Sequence, residues 1–249
     1  MPNTVQASNY YCDEKVSIGD VTNKLVNCLL EDKNISPIKL DNKLAYKINV
    51  IPTDYGSEKV IKVADLDSSY PNLELSYDLS FANNFDFAMG GKLLGLAPNN
   101  ILSGGIKRDD NAVSGWSVRT VFGKSGGVGA YFYLPNDQQK YGNFFYLNKV
   151  NLKVDTKYKI TLKVAVNTEK QRGKICLSAS QYSEGGLQLL HEKCKGNLVF
   201  SNNSNKQDYI SKLLFSFFHG GHSKVYSPKG SSSVNFNNIE LSTKEESND

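Results

Sequence analysis

The residues of this chain best suited to chemistry are a glycine-bracketed lysine and two short segments carrying arginine, serine and tyrosine. In Gly90-Gly91-Lys92-Leu93-Leu94-Gly95-Leu96, the glycines let backbone approach a ligand closely around Lys92. Further on, alternation along residues 116–122 sets Ser117 and Arg119 on one face, with Trp116, Val118 and Phe122 on or near the other. Residues 130–134 do the same for Tyr131 and Tyr133. The seven residues between, Gly123 to Gly129, include four glycines, which predicts a hairpin bringing Ser117, Arg119, Tyr131 and Tyr133 to one sheet face. Arginine can hold a carboxylate through two parallel hydrogen bonds, whereas lysine offers a point charge. A tyrosine, ordinarily near 10, gives or takes a proton once neighbouring cations favour its phenolate. The same residue types also suit the solvated face of an ordinary sheet, so the pattern alone leaves both readings open.

The elements that must position these residues are mostly strands. Leu73, Leu75, Tyr77, Leu79 and Phe81 alternate with Glu74, Ser76, Asp78 and Ser80, and Tyr158, Ile160, Leu162, Val164 and Val166 alternate with Lys157, Lys159, Thr161 and Lys163. Both read as half-buried strands with one wet face. Further strands are expected at 46–51, 116–122, 130–134, 175–180, 213–218 and 234–241. One helix is expected where Val21, Leu25, Cys28 and Leu29 recur at helical spacing behind a capping Asp20. Strands joined by glycine- and asparagine-rich turns, such as Glu184-Gly185-Gly186, predict an all-β chain. The expected architecture is a single-domain β-jelly-roll sandwich over residues 1–249, with a short N-terminal helix and a frayed, charged tail at 244–249.

Composition narrows the classes. The 249 residues include 12 Phe, 14 Tyr and 1 Trp, ample for one core. No apolar run approaches the roughly 18 residues of a membrane span. Met1-Pro2-Asn3-Thr4-Val5 shows no secretory signal. The net charge of +4 is too small to argue for nucleic acid. What matters is whether the cations gather, and the Lys157, Lys159, Lys163 face is a candidate to add to Lys92 and Arg119. Cys12, Cys28, Cys176 and Cys194 form two spaced pairs without metal-knuckle spacing, which leaves three disulfide pairings and free thiols open. The sequons at Asn34-Ile35-Ser36 and Asn202-Asn203-Ser204 decide nothing. His219-Gly220-Gly221-His222 reads as a surface turn rather than a metal site. Asp65-Leu66-Asp67 and Asp109-Asp110 read as solvated loop carboxylates, since neither has an ion-binding loop pattern. No motif singles out the opposed carboxylates that glycoside hydrolysis needs. Gly126-Gly127-Val128-Gly129 lacks the lysine-serine ending of a phosphate loop.

Taken together, Gly90-Gly91-Lys92-Leu93-x-Gly95-Leu96, Trp116-Ser117-x-Arg119, Tyr131-x-Tyr133-x-Pro135 and Phe217-Phe218-x-Gly220-Gly221 before Phe236 resemble polysaccharide lyase family 14. That family holds alginate lyases of marine molluscs and cell-wall lyases of chlorella viruses. The resemblance is clearest over residues 87–241. Leu94 stands where a proline is common, His219 interrupts the Phe-Phe-Gly-Gly pattern, and the region 175–205 is expanded.

The resemblance implies a jelly roll whose concave cleft binds a polyuronate such as alginate or glucuronan and cleaves it by β-elimination, with no metal or other cofactor. It assigns catalysis to Lys92, Tyr131 and Arg119, and substrate binding to Ser117, Tyr133 and Gly91. In a 4-linked uronate the C5 proton is a very weak acid. A fixed cation on the carboxylate makes the developing charge tolerable. On this reading Tyr131 is the principal base or acid, and Lys92 the carboxylate neutraliser or proton partner. A non-catalytic carbohydrate-binding jelly roll is the rival reading, although simple binding needs no paired base and acid. The expected partner is an acidic polysaccharide, with no nucleic acid and no membrane. The chain is expected to be a monomer acting outside the cell or delivered by a virion.

Overall fold

A computed structural model describes residues 10–19, 21–104, 114–135, 137, 141–202, 205–221 and 223–243. Asp20, Asp109-Asp110, Asn203-Ser204, His222 and the 244–249 tail lie outside the described residues. One helix, α1 (Val21–Leu30), precedes β1 (Ile35–Leu40), β2 (Lys43–Val50), and the short β3 (Pro52–Thr53) and β4 (Gly56–Ser57). The chain continues through β5 (Val60–Tyr70), β6 (Asn72–Phe81), β7 (Gly90–Ala97), β8 (Ser117–Gly123), β9 (Gly127–Tyr133) and β10 (Asn143–Asn151). It ends with β11 (Lys157–Ala165), β12 (Gly173–Ser183), β13 (Gly186–Leu198), β14 (Ile210–His219) and β15 (Ser232–Ser242).

The strands form two large antiparallel sheets. One has the order β1-β2-β15-β6-β11-β12-β13, the other β10-β9-β8-β7-β14-β5. Alternation decides what each sheet buries. Leu73, Leu75, Tyr77, Leu79 and Phe81 of β6, with Tyr158, Ile160, Leu162 and Val164 of β11, face Val118, Phe122, Phe132, Phe215 and Phe217 of the other sheet in one shared core. Each such side chain is worth about 1.5–3 kcal/mol of burial. Across the core the Tyr77 hydroxyl and Thr120 Oγ1 lie 2.5 Å apart, tying β6 to β8. The helix buries Val21, Leu25, Cys28 and Leu29, as its spacing predicts. This is the all-β jelly-roll sandwich with a short N-terminal helix that the sequence leads one to expect.

Some expectations need correction. The Lys157, Lys159 and Lys163 row belongs to the seven-stranded sheet, not to the sheet carrying Lys92. There Lys157 pairs with Asp41 and Asp78, Lys159 with Glu240, and Lys163 with Glu74 and Glu192. Period-two alternation shows that a strand has a wet face, not which sheet that face belongs to. Asp78, on that nominally wet face, is fully buried and accepts hydrogen bonds from the Tyr182 hydroxyl (2.8 Å) and Asn238 Nδ2 (2.6 Å). Asp65 and Asp67 sit in β5 rather than a loop, Asp65 paired with Lys212 and Asp67 accepting from the Tyr70 hydroxyl. His219 is not at a surface turn. It ends β14 with its ring buried between Phe85 and Phe122.

Both cysteine pairs are disulfides, Cys12–Cys28 and Cys176–Cys194, and no described cysteine is free. The first ties the segment before α1 to the helix, and the second staples the β12–β13 hairpin at directly opposed positions. Loops of this length gain roughly 3 kcal/mol from closure. Cys176→Ser with Cys194→Ser should therefore lower unfolding free energy by about 2–4 kcal/mol in denaturant titration. An unchanged midpoint would mean the hairpin holds without its staple.

Candidate active site

The six-stranded sheet turns one face to the core and the other outward, and register determines which residues share the outer face. Opposed residues of an antiparallel pair lie on the same side. Arg119 is opposite Tyr131 and Ser117 opposite Tyr133, so the β8–β9 hairpin brings these four together as alternation predicts. Lys92 is opposite Val121 and Gly95 opposite Arg119, which makes three residues of β7 span two of β8. The extra residue is a β-bulge at the buried pair Leu93-Leu94, and it sets Lys92 and Gly95 on the same face despite their odd separation. On the far side of β7, Phe218 of β14 is opposite Lys92. Beyond the hairpin, Phe144 and Tyr146 of β10 are opposite Tyr131 and Gly129.

The outer face therefore carries two parallel rows. One runs Tyr146, Gly129, Val121, Lys92, Phe218, and the other Phe144, Tyr131, Arg119, Gly95. Lys92 leans from the first row over the second. Its Nζ stands 3.2 Å from the centroid of the Tyr131 ring. Gly95 leaves room for Arg119, since a Cβ there would lie 2.8 Å from Arg119 Cγ and 2.2 Å from the Val118 carbonyl. The Tyr131 and Tyr133 hydroxyls are 3.0 Å apart, and Gly142 N–H donates to the Tyr131 oxygen at 2.9 Å.

Crowded cations set the electrostatics. Burial, with the Arg119 charge beside it, pulls the Lys92 ammonium down to about 7. Burial also lowers Arg119, but only to about 10, because the two tyrosines oppose the shift, so Arg119 stays charged at neutral pH. Burial and the hydrogen bond to Tyr131 push the Tyr133 hydroxyl well above its ordinary value, so Tyr133 keeps its proton.

Two of the six residues singled out from sequence act differently from expectation. Ser117 is completely buried. Its hydroxyl donates to the Leu102 carbonyl (2.6 Å) and accepts from Arg119 Nη1 (3.0 Å), so it holds the guanidinium instead of facing a sugar. Gly91 points to the core, where a Cβ would come within 2.5 Å of the Phe122 ring. Its small size makes room for packing, not for a ligand. Lys92, Arg119, Tyr131 and Tyr133 do converge. Sequence reading quoted Gly95 and Phe218 only as motif positions, and it missed Gly142 and the outward aromatics Phe144 and Tyr146. The alternation of Phe144 and Tyr146 around the buried Phe145 is the signal that marks two of them.

Gly95→Ala tests how tightly Arg119 is seated. The added methyl meets backbone rather than a flexible side-chain end, so strands β7 and β8 must shift, at a cost of about 1–3 kcal/mol. Thermal unfolding should show a lowered midpoint together with lost turnover. A variant with wild-type stability and turnover would show that the strands yield easily and Arg119 needs no such seat.

A family model for polysaccharide lyase 14 matches residues 51–239. Among solved structures, the PL-14 alginate lyase of Aplysia kurodai is similar at 22% identity and a TM-score of 0.68, over 92% of this chain and 97% of that one. The alginate lyase vAL-1 from Chlorella virus is similar at 18% identity and a TM-score of 0.65, over 85% and 90%. A double mutant of alginate lyase Aly36B, in complex with an alginate tetrasaccharide, aligns at 15% identity and a TM-score of 0.67, over 95% and 96%. No curated protein matches by sequence. At these identities the structural likenesses speak for the fold alone, while the family match spans most of the chain and includes every residue of the cationic face. The chain belongs to polysaccharide lyase family 14.

Proposed function

We propose that this polysaccharide lyase cleaves 4-linked uronic-acid polymers of the alginate or glucuronan type by β-elimination, leaving an unsaturated uronate at the new non-reducing end. The observation that carries the reading is the convergence of Lys92, Arg119, Tyr131 and Tyr133 on one outward sheet face, with Lys92 over the Tyr131 ring. The alginate lyases similar in structure support the substrate class.

Each group then has a task. Arg119, charged at neutral pH and braced by Ser117, holds the substrate carboxylate and stabilises the charge that develops as C5 loses its proton. Lys92, with its ammonium drawn down to about 7, supplies an uncharged amine that takes the C5 proton. The C5–H electrons become the C4–C5 double bond as the C4–O4 bond breaks. Tyr131 gives its proton to the departing O4, and Tyr133 and Gly142 N–H stabilise the phenolate that remains. Net transfer of a proton from the Lys92 ammonium to that phenolate restores both groups. Of the alternatives the sequence leaves open, this takes Lys92 as the proton partner, Tyr131 as the acid and Arg119 as the carboxylate neutraliser. The two disulfides suit an oxidising setting, in keeping with action on a polysaccharide outside the cell.

Ultraviolet absorbance of the new double bond, on polymannuronate, polyguluronate and glucuronan, tests the reading. We expect absorbance to rise on at least one polymer, and Lys92→Ala and Tyr131→Phe each to lower kcat by about 10²-fold or more with the fold intact. Absence of absorbance on all three, or near-normal turnover in both variants, contradicts it. The pH profile assigns the base. A neutral Lys92 is needed, so kcat/KM should rise with pH through a limb near about 7. Residual activity of Arg119→Gln should show that limb moved to higher pH, because removing the neighbouring charge lets Lys92 hold its proton longer. Activity falling above this limb would instead make the charged ammonium the working form.

A further inference from the structure

The Lys92 row crosses five strands without interruption, from Tyr146 on β10 to Phe218 on β14. At strand spacings of roughly 4.8 Å this row is about 19 Å long. Both ends carry an aromatic ring on the outer face. Tyr146 lies across glycine backbone, since a Cβ on Gly129 or Gly123 would come within 2.9 or 3.0 Å of its ring, yet the residue is 39% exposed. Phe144 beside it, at a ring separation of 5.7 Å, is 61% exposed. At the other end Phe218 is half-buried, and the exposed Lys59 holds its Nζ 5.5 Å from the Phe218 ring centroid. Single exposed aromatics are common and mean little. Two at opposite ends of the one row that contains Lys92 define a track.

We propose that the polymer lies along this row, perpendicular to the strands, with one sugar stacked on Tyr146 and another on Phe218, on opposite sides of the bond that is cut. The proposal rests on the lyase reading above and adds the direction of the chain and its two outer subsites. Pyranose rings present apolar C–H faces that stack on aromatic rings, and their carboxylates project at the edge. Lys59 is placed to meet such a carboxylate beside Phe218. With roughly one sugar per strand spacing, a track of this width takes four to five units. Lys92 lies one strand from Phe218 and three from Tyr146, so most of the bound chain lies toward β10.

Oligouronates of defined length, tagged at the reducing end, test the track. Tyr146→Ala and Phe218→Ala should each lower kcat/KM on a hexamer by about tenfold and on a trimer by much less. The two variants should move the cut in opposite directions along the hexamer, and Tyr146→Phe should restore the wild-type pattern. Equal losses on trimer and hexamer, or cut positions that do not move, would overturn the track while leaving the lyase reading standing. Failure of the wild type to form a double bond in any oligouronate would count against the lyase reading instead. Calorimetric binding of the uncut hexamer then decides the track, with about tenfold weaker binding by both alanine variants upholding it and unchanged binding overturning it.

Discussion

Two basic side chains share a half-buried patch of the six-stranded sheet, and the rest of the site follows from how their repulsion is relieved. Arg119 keeps its charge, because Ser117 accepts one of its hydrogen bonds and two phenols lie beside it. Lys92 gives way, since near neutral pH it can release its proton and so remove the charge beside Arg119. The aromatic face of Tyr131 accommodates it in either state, as a cation over a ring or as an amine. In the proposed mechanism this difference in environment gives a lysine and an arginine side by side two separate tasks, one as base and the other as carboxylate clamp.

The sandwich supplies the rigidity this division needs. The residues of the face stand on three adjacent strands, and those strands are anchored from behind by Val118, Phe122 and Phe132 in the core and by the Thr120–Tyr77 contact to the opposite sheet. The bulge in β7 matters as much as the core. Without the extra residue at Leu93-Leu94, Gly95 would turn inward and a different side chain would confront Arg119. The outer lysines of β11 have no part in this, because each is matched to carboxylates on its own sheet.

Much of this was legible in the sequence, for identifiable reasons. Clean alternation located β6, β8, β9 and β11, and the four glycines between 123 and 129 marked the hairpin that joins Arg119 to Tyr131. Strand β7 was harder to see as a strand, since its bulge breaks period two. Strand β13 was hidden because most of it is exposed, Leu187, Leu189 and Leu190 included, and so it shows no apolar face. The role of Ser117 could not be read, because the acceptor that occupies it is the carbonyl of Leu102, far from any motif. His219 was misread for a related reason. The adjoining glycines suggested a turn, whereas the ring completes a cluster of phenylalanines beneath Gly91.

The central claim is that Lys92 gives up its proton around neutral pH, and it can be measured without substrate. Isotope-labelled lysine, with the Lys92 resonance assigned through Lys92→Arg, allows NMR to follow its side chain as pH is raised. The account predicts a midpoint near about 7. A midpoint close to the ordinary lysine value of about 10.4 would contradict it.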